Sequence, residues 1–283
     1  MNRRRFLALS AAAAGTGSLS LGGYAAYVEP HRAGFTHHRV NARTSPAQRE
    51  ITFVQVSDLH LHRVGAMHRR IATRVNAIRP ELLLFTGDSV DKPDRLGELR
   101  SLLALFDART PKYAILGNWE HWSGVDLGEL ADVYHRANCR LLVNESAIHD
   151  AGGRGLVLTG LDDLIGGRPD GRVLATVPDA DAHLLLAHCP EHRDRLIVPA
   201  LGAIPAPVDV SRITMMLSGH THGGQVSLLG WTPILPAGSG RYVRGWFRDP
   251  GAVPLYVSRG IGTSVMPVRL GAPPEVAVFT MWV

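Results

Sequence analysis

The 283-residue sequence predicts a layered α/β protein that contains two β-sheets. Apolar strand patterns alternate with amphipathic helix patterns in the first half of the chain, which is typical of parallel strands joined by helices. Short β patterns separated by glycine and proline cluster in the second half and favour a second sheet. A hydrophobic content of 45% and a charged content of 19% are ordinary for a globular protein and argue against disorder.

The predicted elements follow one another in order from residue 51. Strands at 51–56, 82–85 and 113–116 are each followed by a helix, at 67–79, 96–106 and 127–137. Further strands are predicted near residue 141 and at 156–158, 184–187, 213–217, 255–257 and 276–279. Residues 196–210 are rich in proline and small apolar residues and are predicted to form an insertion or loop. We expect one domain over residues 51–283, since the sequence shows neither an internal repeat nor a second boundary.

Positive charge is concentrated at the N-terminus of the chain. The net charge is +5 and the pI is about 9.6. Residues 1–49 carry seven arginines and one acid, Glu29, whereas residues 50–283 carry 23 basic and 24 acidic residues. Because the body of the chain is close to neutral, the sequence has no nucleic-acid footprint.

The first 28 residues resemble an export signal. Three arginines, Arg3 to Arg5, precede Phe6-Leu7, and residues 6–28 carry no charge, which is similar to a signal of the twin-arginine type read by the export machinery. This span is rich in Gly, Ser, Thr and Ala, so a plain membrane anchor is the alternative. Both interpretations place the body outside the cytoplasm, in the periplasm or on the outer face of the cytoplasmic membrane. Residues 29–50 are predicted to be a polar connector.

Polar residues at the ends of predicted strands give the strongest functional signal. The three early strands run into Ser-Asp-Leu-His, Thr-Gly-Asp and Gly-Asn, and two later strands run into His-Cys-Pro and Ser-Gly-His-Thr-His-Gly-Gly. Strand ends at one edge of an α/β sheet converge on one crevice. We therefore expect seven donor side chains to point to one place. They are Asp58, His60, Asp88, Asn118, His188, His220 and His222.

The types of donor in this set indicate divalent metal ions. Gly-Asp and Gly-Asn turns alone are common for backbone reasons, but two histidines held by glycines make a good chelate and a poor core element. Imidazole, carboxylate and amide donors without thiolate suit Mn, Fe, Zn, Ni or Co. Seven donors are too many for one ion and fit two ions that share a carboxylate. Such a pair clamps a phosphoryl oxygen and lowers the pKa of a bridging water to supply hydroxide.

The ordered series of these motifs resembles the five-part signature of the calcineurin-like metallophosphoesterases. The motifs are Asp58-x-His60, Gly87-Asp88, Gly117-Asn118, His188 and Gly219-His220-x-His222. Two further strings, SGHTHGGQV at 218–226 and YVSRGIGTS at 256–264, followed by Pro267 and Arg269, are similar to an exported or membrane-associated bacterial phosphodiesterase branch. Some members of that branch act on nucleotide-linked lipids. The resemblance implies a four-layered α/β/β/α sandwich with two central mixed sheets.

The resemblance also implies how the metal ligands divide between two ions. Asp58, His60 and His222 would hold one ion, and Asn118, His188 and His220 would hold the other. Asp88 would bridge the two.

Trp119 departs from the pattern of the family. Most members carry a histidine directly after the asparagine, where it is thought to stabilise the transition state or protonate the leaving oxygen, and an indole N–H cannot exchange its proton near neutrality. Either another group supplies the proton, with His121 and His62 as the candidates near in sequence, or the leaving group needs no proton. The alternative for His121 is a solvated loop histidine. Glu120 is expected to fix the loop by hydrogen bonding, and both tryptophans of the stretch GNWEHW, expected to be a turn, could line an apolar substrate pocket.

Arginines in the glycine-rich C-terminal part are candidates for gripping the non-reacting part of a phosphate substrate. They are Arg241, Arg244, Arg259 and Arg269. The alternative for each of them is an arginine on the solvated surface that binds no substrate. We select Arg259, together with Trp119, as the candidate substrate-binding residues.

The sequence thus predicts a phosphoester hydrolase with two divalent metal ions that favours diesters or pyrophosphates and uses a metal-bridging hydroxide. The substrate would be a small-molecule or lipid-linked phosphoester, and residues 6–28 could attach the protein to a membrane. The alternatives are a broad phosphomonoesterase and a non-catalytic metal-binding protein whose site has decayed.

Overall fold

The computed structural model describes residues 20–197 and 210–283. Most of the predicted export signal and most of the predicted insertion at 196–210 therefore lie outside the described residues. The described part of the first helix, α1, covers residues 20–27. The other helices are α2 (Ala66–Ile78), α3 (Leu96–Leu103), α4 (Asn118–Trp122), α5 (Leu127–His135) and α6 (His192–Ile197).

The strands form two six-stranded sheets. Those of the first sheet are β1 (Gly34–Arg39), β2 (Glu50–Val56), β3 (Leu82–Thr86), β4 (Lys112–Ile115), β5 (Cys139–Leu141) and β12 (Glu275–Trp282). Those of the second sheet are β6 (Glu145–Asp150), β7 (Gly155–Gly160), β8 (Ala182–Leu186), β9 (Met215–Ser218), β10 (Gly245–Phe247) and β11 (Leu255–Val257).

Both sheets are mixed. The first has the order β1-β12-β2-β3-β4-β5, in which β2 to β5 are parallel and β12 runs antiparallel to β2. The second has the order β10-β11-β9-β8-β7-β6, with a parallel centre and an antiparallel strand at each edge. Two central mixed sheets confirm the predicted α/β class.

Alternation along the strands explains the layers. In β2, Ile51 and Phe53 face the second sheet, while Val54 and Val56 face the helices on the outside of the first sheet. Phe53 stacks on Phe279 of β12, with 4.9 Å between ring centroids, inside the core between the sheets. β3 is buried on both sides and is therefore apolar at nearly every position, as parallel strands covered on two faces require.

The outer layers differ in thickness. Helices α2, α3 and α5 cover the first sheet, and α2 does so with Ile71, Ala72 and Val75. α2 ends at Arg79, which adopts a left-handed conformation with φ 54° just before Pro80, a residue that cannot continue the helix. The second sheet is covered more thinly, by α6 and a short 3-10 helix at Gly171–Thr176 with neighbouring loops.

The sequence-based prediction missed several elements, among them the short helix α6. The polar connector predicted at 29–50 contains β1, which pairs in parallel with β12. Strands β6 and β10 were also missed, since both are edge strands with polar or half-buried patterns. The GNWEHW stretch is not a turn, because Asn118–Trp122 forms the short helix α4 with Gly117 as its N-cap.

Candidate active site

Seven polar side chains meet where strands of both sheets end. Asp58 and His60 follow β2, Asp88 follows β3, and Asn118 begins α4 directly after β4. His188 follows β8, and His220 and His222 follow β9 in the second sheet. All seven are at most 4% exposed, so they form one buried cluster at the end of the sandwich.

The backbone of this cluster is sharply turned. Five of the seven residues have positive φ angles: Asp58 (51°), His60 (39°), Asp88 (51°), His220 (73°) and His222 (53°). This left-handed region is costly for residues other than glycine, although Asp and His enter it more readily than most. Such conformations cost on the order of 1–3 kcal/mol each and concentrate at functional sites. The strand ends are therefore bent to aim their side chains inward.

Two glycines make the close approach of these loops possible. A Cβ at Gly117 would lie 2.3 Å from Asp88 Oδ1, and a Cβ at Gly219 would lie 2.4 Å from Asp58 Oδ2. Any side chain at either position would therefore displace a carboxylate of the cluster. The glycines of the Gly-Asn and Gly-His-x-His motifs are there for space as well as for turning.

The donors divide into two groups that share Asp88. In the first group, the donor atoms of Asp58, His60, Asp88 and His222 lie within 4.8 Å of one another. His60 Nε2 is 3.1 Å from His222 Nε2 and 3.5 Å from Asp88 Oδ2.

The second group contains Asp88, His188 and His220. His188 Nε2 lies 3.1 Å from the same oxygen, Asp88 Oδ2. His220 Nδ1 lies 3.0 Å from Asn118 Oδ1, which adds the amide to this group. One carboxylate oxygen thus faces both sets of imidazoles.

Outer hydrogen bonds set the tautomers of two histidines. His188 Nδ1 lies 2.8 Å from the carbonyl oxygen of Thr86, and His220 Nε2 lies 2.7 Å from that of Ala237. A carbonyl can only accept, so these nitrogens carry the protons and donate. The other ring nitrogens, His188 Nε2 and His220 Nδ1, point into the cluster. Burial would lower the pKa of His188, but the charge and hydrogen bond of Asp88 raise it well above its usual value, so a cation bound there would replace the proton between His188 Nε2 and Asp88 Oδ2.

These inward-facing donor atoms fit divalent cations. His220 Nδ1 faces the amide of Asn118, and His188 Nε2 faces the carboxylate of Asp88. Asp58 Oδ2 is buried and has no hydrogen-bond partner within the described chain. Buried acceptors left in this way are costly unless a cation neutralises them. Oxygen and nitrogen donors without thiolate are the set expected for first-row divalent ions.

Burial and charge keep the site in the form that binds cations. Burial lowers the pKa of His60 and His222, so both rings are neutral and offer a lone pair at pH 7. Burial alone would raise the pKa of Asp88, but the charge and hydrogen bond of His188 outweigh it and hold the pKa of that carboxyl well below its usual range. Asp88 is therefore a carboxylate.

Glu120 ties two of the ligand loops together. Its carboxylate accepts hydrogen bonds from the backbone N–H groups of Asp88 (3.0 Å), Ser89 (2.6 Å) and Gly117 (2.8 Å), with a longer one from Val90. Burial and the charge of Asp88 raise the pKa of Glu120 to about 7, while the N–H donors oppose that rise. The expected hydrogen-bonding role of Glu120 is confirmed, and its partners include the backbones of two loops that carry proposed ligands.

Trp119 forms one wall of a cavity beside the cluster. Its backbone N–H donates to Asp88 Oδ1 at 2.9 Å, and its indole lies edge-on against the imidazole of His60 with 5.7 Å between centroids. Together with Trp122, it lines a cavity of about 570 Å³ that also reaches Asp88, His220 and His222. The indole therefore occupies a position where substrate would pass.

The histidines expected to supply a proton are directed elsewhere. His121 Nε2 lies 2.7 Å from Asp162 Oδ1, and the side-chain hydrogen bond to Asp162 raises the pKa of His121. His121 is absent from the cavity lining of the described chain, and Asp162 in turn accepts backbone N–H groups of its own loop. The contacts of His121 thus support a positioning role rather than the expected acid role. His62 is mostly exposed beside Asp91.

The arginine expected to bind substrate is also engaged. The Arg259 guanidinium lies beside the buried carboxylate of Glu275, with Nε 3.2 Å from Oε2, and its backbone N–H donates to the same oxygen. Arg259 is absent from the cavity lining of the described chain, and its role in binding substrate stays a prediction.

Arg269 is a residue whose role the sequence did not reveal. It is fully buried and donates to the carbonyls of Gly262 and Ala272, and its Nη2 lies 3.3 Å from His222 Nδ1. Burial lowers the pKa of Arg269 to about 10. It braces the loop of His222, a role different from the phosphate grip for which the sequence made it a candidate.

Comparison with known proteins identifies the class of this site. A model of the Calcineurin-like phosphoesterase family matches residues 51–224. The chain is 31% identical to the metallophosphoesterase YkuE of Bacillus subtilis (strain 168), with 99% of this chain and 98% of that protein covered. It is 30% identical to the phosphodiesterase YaeI of Escherichia coli (strain K12), with 99% of both chains covered.

The fold, the buried Asp/His cluster and these relatives together define a metal-dependent phosphoester hydrolase. The chain belongs to the calcineurin-like phosphoesterase family.

We expect Glu120→Gln to weaken both the fold and the hold on metal. The amide keeps one acceptor oxygen but turns an NH₂ group toward backbone N–H donors, and buried donors left unpaired cost about 1–3 kcal/mol each. The free energy of unfolding should fall by at least that amount, and metal retained after dialysis should fall with it. The matched control is Glu129→Gln, at the equivalent position in the first turn of α5 but exposed. Equal metal content and stability in both variants would contradict this role of Glu120.

Proposed function

We propose that this hydrolase is a dinuclear enzyme for phosphodiester or pyrophosphate bonds. Asp58, His60 and His222 hold one cation, and Asn118, His188 and His220 hold the other, with Asp88 common to both. The single observation that carries this proposal is that one oxygen, Asp88 Oδ2, faces imidazoles of both groups, 3.5 Å from His60 and 3.1 Å from His188.

The protein supplies position and environment for the chemistry. When bound, two divalent cations supply charge stabilisation for the phosphoryl oxygens and make water a nucleophile near neutral pH. Thr86 and Ala237 fix the imidazole orientations through their carbonyls, which keeps the donor atoms aimed before substrate arrives. Trp119 shields His60 and one side of the cavity from water.

The charge of the cavity favours a diester over a monoester. In the described chain, the residues that line it include no lysine and no arginine. A phosphate monoester carries close to two negative charges at pH 7, whereas a diester carries one and brings a second substituent that can occupy an apolar wall. Apolar lining residues such as Ile165, Val226 and Ile234 would accommodate that substituent. The relative YaeI is a phosphodiesterase, which supports the same preference.

Asp88→Asn should cost more metal than any ligand change confined to one group. An amide keeps an oxygen but loses the charge shared by both cations, so both should be lost. Metal content per chain after dialysis should fall toward zero in Asp88→Asn, while Asp58→Asn should retain one cation. Two cations per chain in Asp88→Asn would show that Asp88 is not shared.

The leaving group should control the rate of the wild-type enzyme. The titratable side chains that line the cavity in the described ranges are Asp88, His220 and His222, all of them proposed ligands. With no free acid in place, the leaving oxygen departs with its full charge, so aryl diesters should show a steep dependence of rate on leaving-group pKa.

The test compares wild type with Trp119→His and His121→Ala over a graded series of aryl diesters. Trp119→His should make the slope shallow and speed up the poorest leaving groups by about 10² or more. His121→Ala should leave the slope as it is, because Asp162 already holds that ring. A shallow wild-type slope that becomes steep in His121→Ala would instead make His121 the acid. Activity confined to monoesters would overturn the proposed substrate preference.

We also propose that the enzyme works outside the cytoplasm. The supporting observation is the sequence of Arg3-Arg4-Arg5-Phe6-Leu7 followed by an uncharged stretch up to Val28. Residues 1–19 lie outside the described chain, and in the described residues no helix is long and apolar enough to cross a membrane.

Export can be tested with the arginines alone. Changing Arg3 and Arg4 to lysine keeps the charge but removes the arginine pair, so export through the twin-arginine route should stop and the body should accumulate in the cytoplasm. The control is Arg32→Lys, which lies beyond this segment. Fractionation and protease access in intact and opened cells give the readout. Unchanged export of the double variant would point to an ordinary anchor.

A further inference from the structure

Two loops without any charge border the cavity. The first rim loop covers residues 226–237 and the second covers residues 262–268, and neither contains Asp, Glu, Lys or Arg. Each contributes apolar lining to the cavity, with Ile234 from the first loop and Val265 and Met266 from the second. The same loops are turned outward, since Ile234 is 77% and Trp231 is 69% exposed. Exposed apolar residues that are clustered rather than scattered mark an interaction surface.

The tips of both rim loops hold bulky aliphatic residues in an unfavourable backbone conformation. Leu229 has φ 51° and is fully exposed, and Val265 has φ 62° and is 92% exposed. Left-handed backbone is uncommon for leucine and is an outlier for a β-branched residue such as valine. Asn or Gly would suit both turns better in water. The apolar side chains at these tips therefore serve something other than the stability of the isolated fold.

The rim loops share a rigid base. The side chain of Gln225 donates to the carbonyls of Ser264 and Met266 and accepts from the N–H of Ser264. Val226 forms a β-bridge with Leu270, and Leu228 pairs with Trp231 across the turn of the first loop. The two tips are consequently held as one surface beside the mouth of the cavity.

The N-terminal helix lies at the stem of the second rim loop. The N–H of Arg269 donates to the carbonyl of Ala25 at 2.9 Å, and the N–H of Ala272 donates to Glu29 Oε1 at 2.8 Å. Tyr27 is 79% exposed on this segment. The uncharged sequence from Phe6 onward leads directly into α1, so the apolar part of the chain that precedes the described residues joins the body beside the rim loops.

We infer that the two rim loops insert into a lipid bilayer and that the cavity between them receives the apolar chain of a lipid-linked phosphodiester. The absence of charge, the aliphatic tips and the exposed indole of Trp231 match the region where headgroups meet acyl chains. A lipid held there would place its phosphate at the buried Asp/His cluster while its chain lies along Ile234 and Val265. The substrate part of this inference rests on the proposed phosphodiesterase function, whereas the insertion of the loops does not.

Insertion is tested with the full chain and phosphatidylcholine vesicles whose acyl chains are brominated, because bromine quenches nearby indoles. Trp231 should be quenched, so Trp231→Phe should remove most of the quenching seen in wild type. Trp246→Phe is the matched control, since Trp246 packs against His38 and Tyr256 away from the rim. If quenching were the same in wild type and Trp231→Phe, the loops would not insert. This conclusion would hold whether or not the N-terminal segment attaches the protein to the vesicle.

The second test replaces both tips by a residue that suits their backbone. Leu229→Asn with Val265→Asn removes the aliphatic groups while relieving the left-handed strain, so thermal stability should not fall. Hydrolysis of an aryl diester with a long alkyl chain, embedded in vesicles, should drop about tenfold or more, as expected for the loss of buried aliphatic area. Hydrolysis of the soluble short-chain analogue with the same aryl group should fall far less, because that analogue has no long chain to lie along Val265.

One control variant and three possible outcomes separate this inference from its alternatives. Ile148→Asn removes an exposed aliphatic side chain on β6 and should change the hydrolysis of neither substrate.

If the double variant lost both activities equally, the rim loops would act in the catalytic site and not at a membrane. If wild type sedimented as a dimer that the double variant dissociated, a second copy would be the occupant of this surface. If wild type hydrolysed neither diester, the proposed function would fail while the quenching result still decided insertion.

Discussion

The hydrogen bonds accepted by Glu120 are the interaction on which the rest of the active site depends. Asp88 lies in the loop after β3, and Asn118 begins α4 after β4. One carboxylate joins the N–H groups of both loops at the start of α4, where the helix dipole also favours negative charge. Glu120 thereby sets the spacing between Asp88 and Asn118, although it is not itself one of the cavity-lining residues of the described chain.

The cluster has the chemistry of a site that cations would stabilise. Left-handed backbone at five of its residues, facing imidazole nitrogens and an unpartnered carboxylate oxygen all raise the free energy of the empty fold. Two cations would relieve the electrostatic part of that cost, so binding of metal and stability of the fold are linked. The packed core between the sheets supplies the remaining stability, with Phe53 against Phe279 at its centre.

The sequence predicted the donor side chains of the site better than the residues that hold those side chains in place. Donors at strand ends could be recognised because strand position and residue type are both visible in sequence, as with Asp58 after β2 and His188 after β8. The partners of Arg259 and the burial of Arg269 could not, since each depends on contacts made by chain segments far apart in sequence. β1 could not be predicted because an edge strand needs no apolar alternation. α4 could not be predicted because five residues are too few for a periodic pattern.

The position of β12 constrains the order in which the protein can fold. This strand, from the last part of the sequence, lies between β1 and β2 from the first part, so neither of those strands can pair with β12 until the last part of the chain has been synthesised. The local β–α–β units from β2 to β5 can assemble early, but β2 then presents an open edge that could pair with another chain. Slow translation or a delay before β12 arrives would prolong this vulnerable stage, and we expect the yield of soluble protein to depend on it.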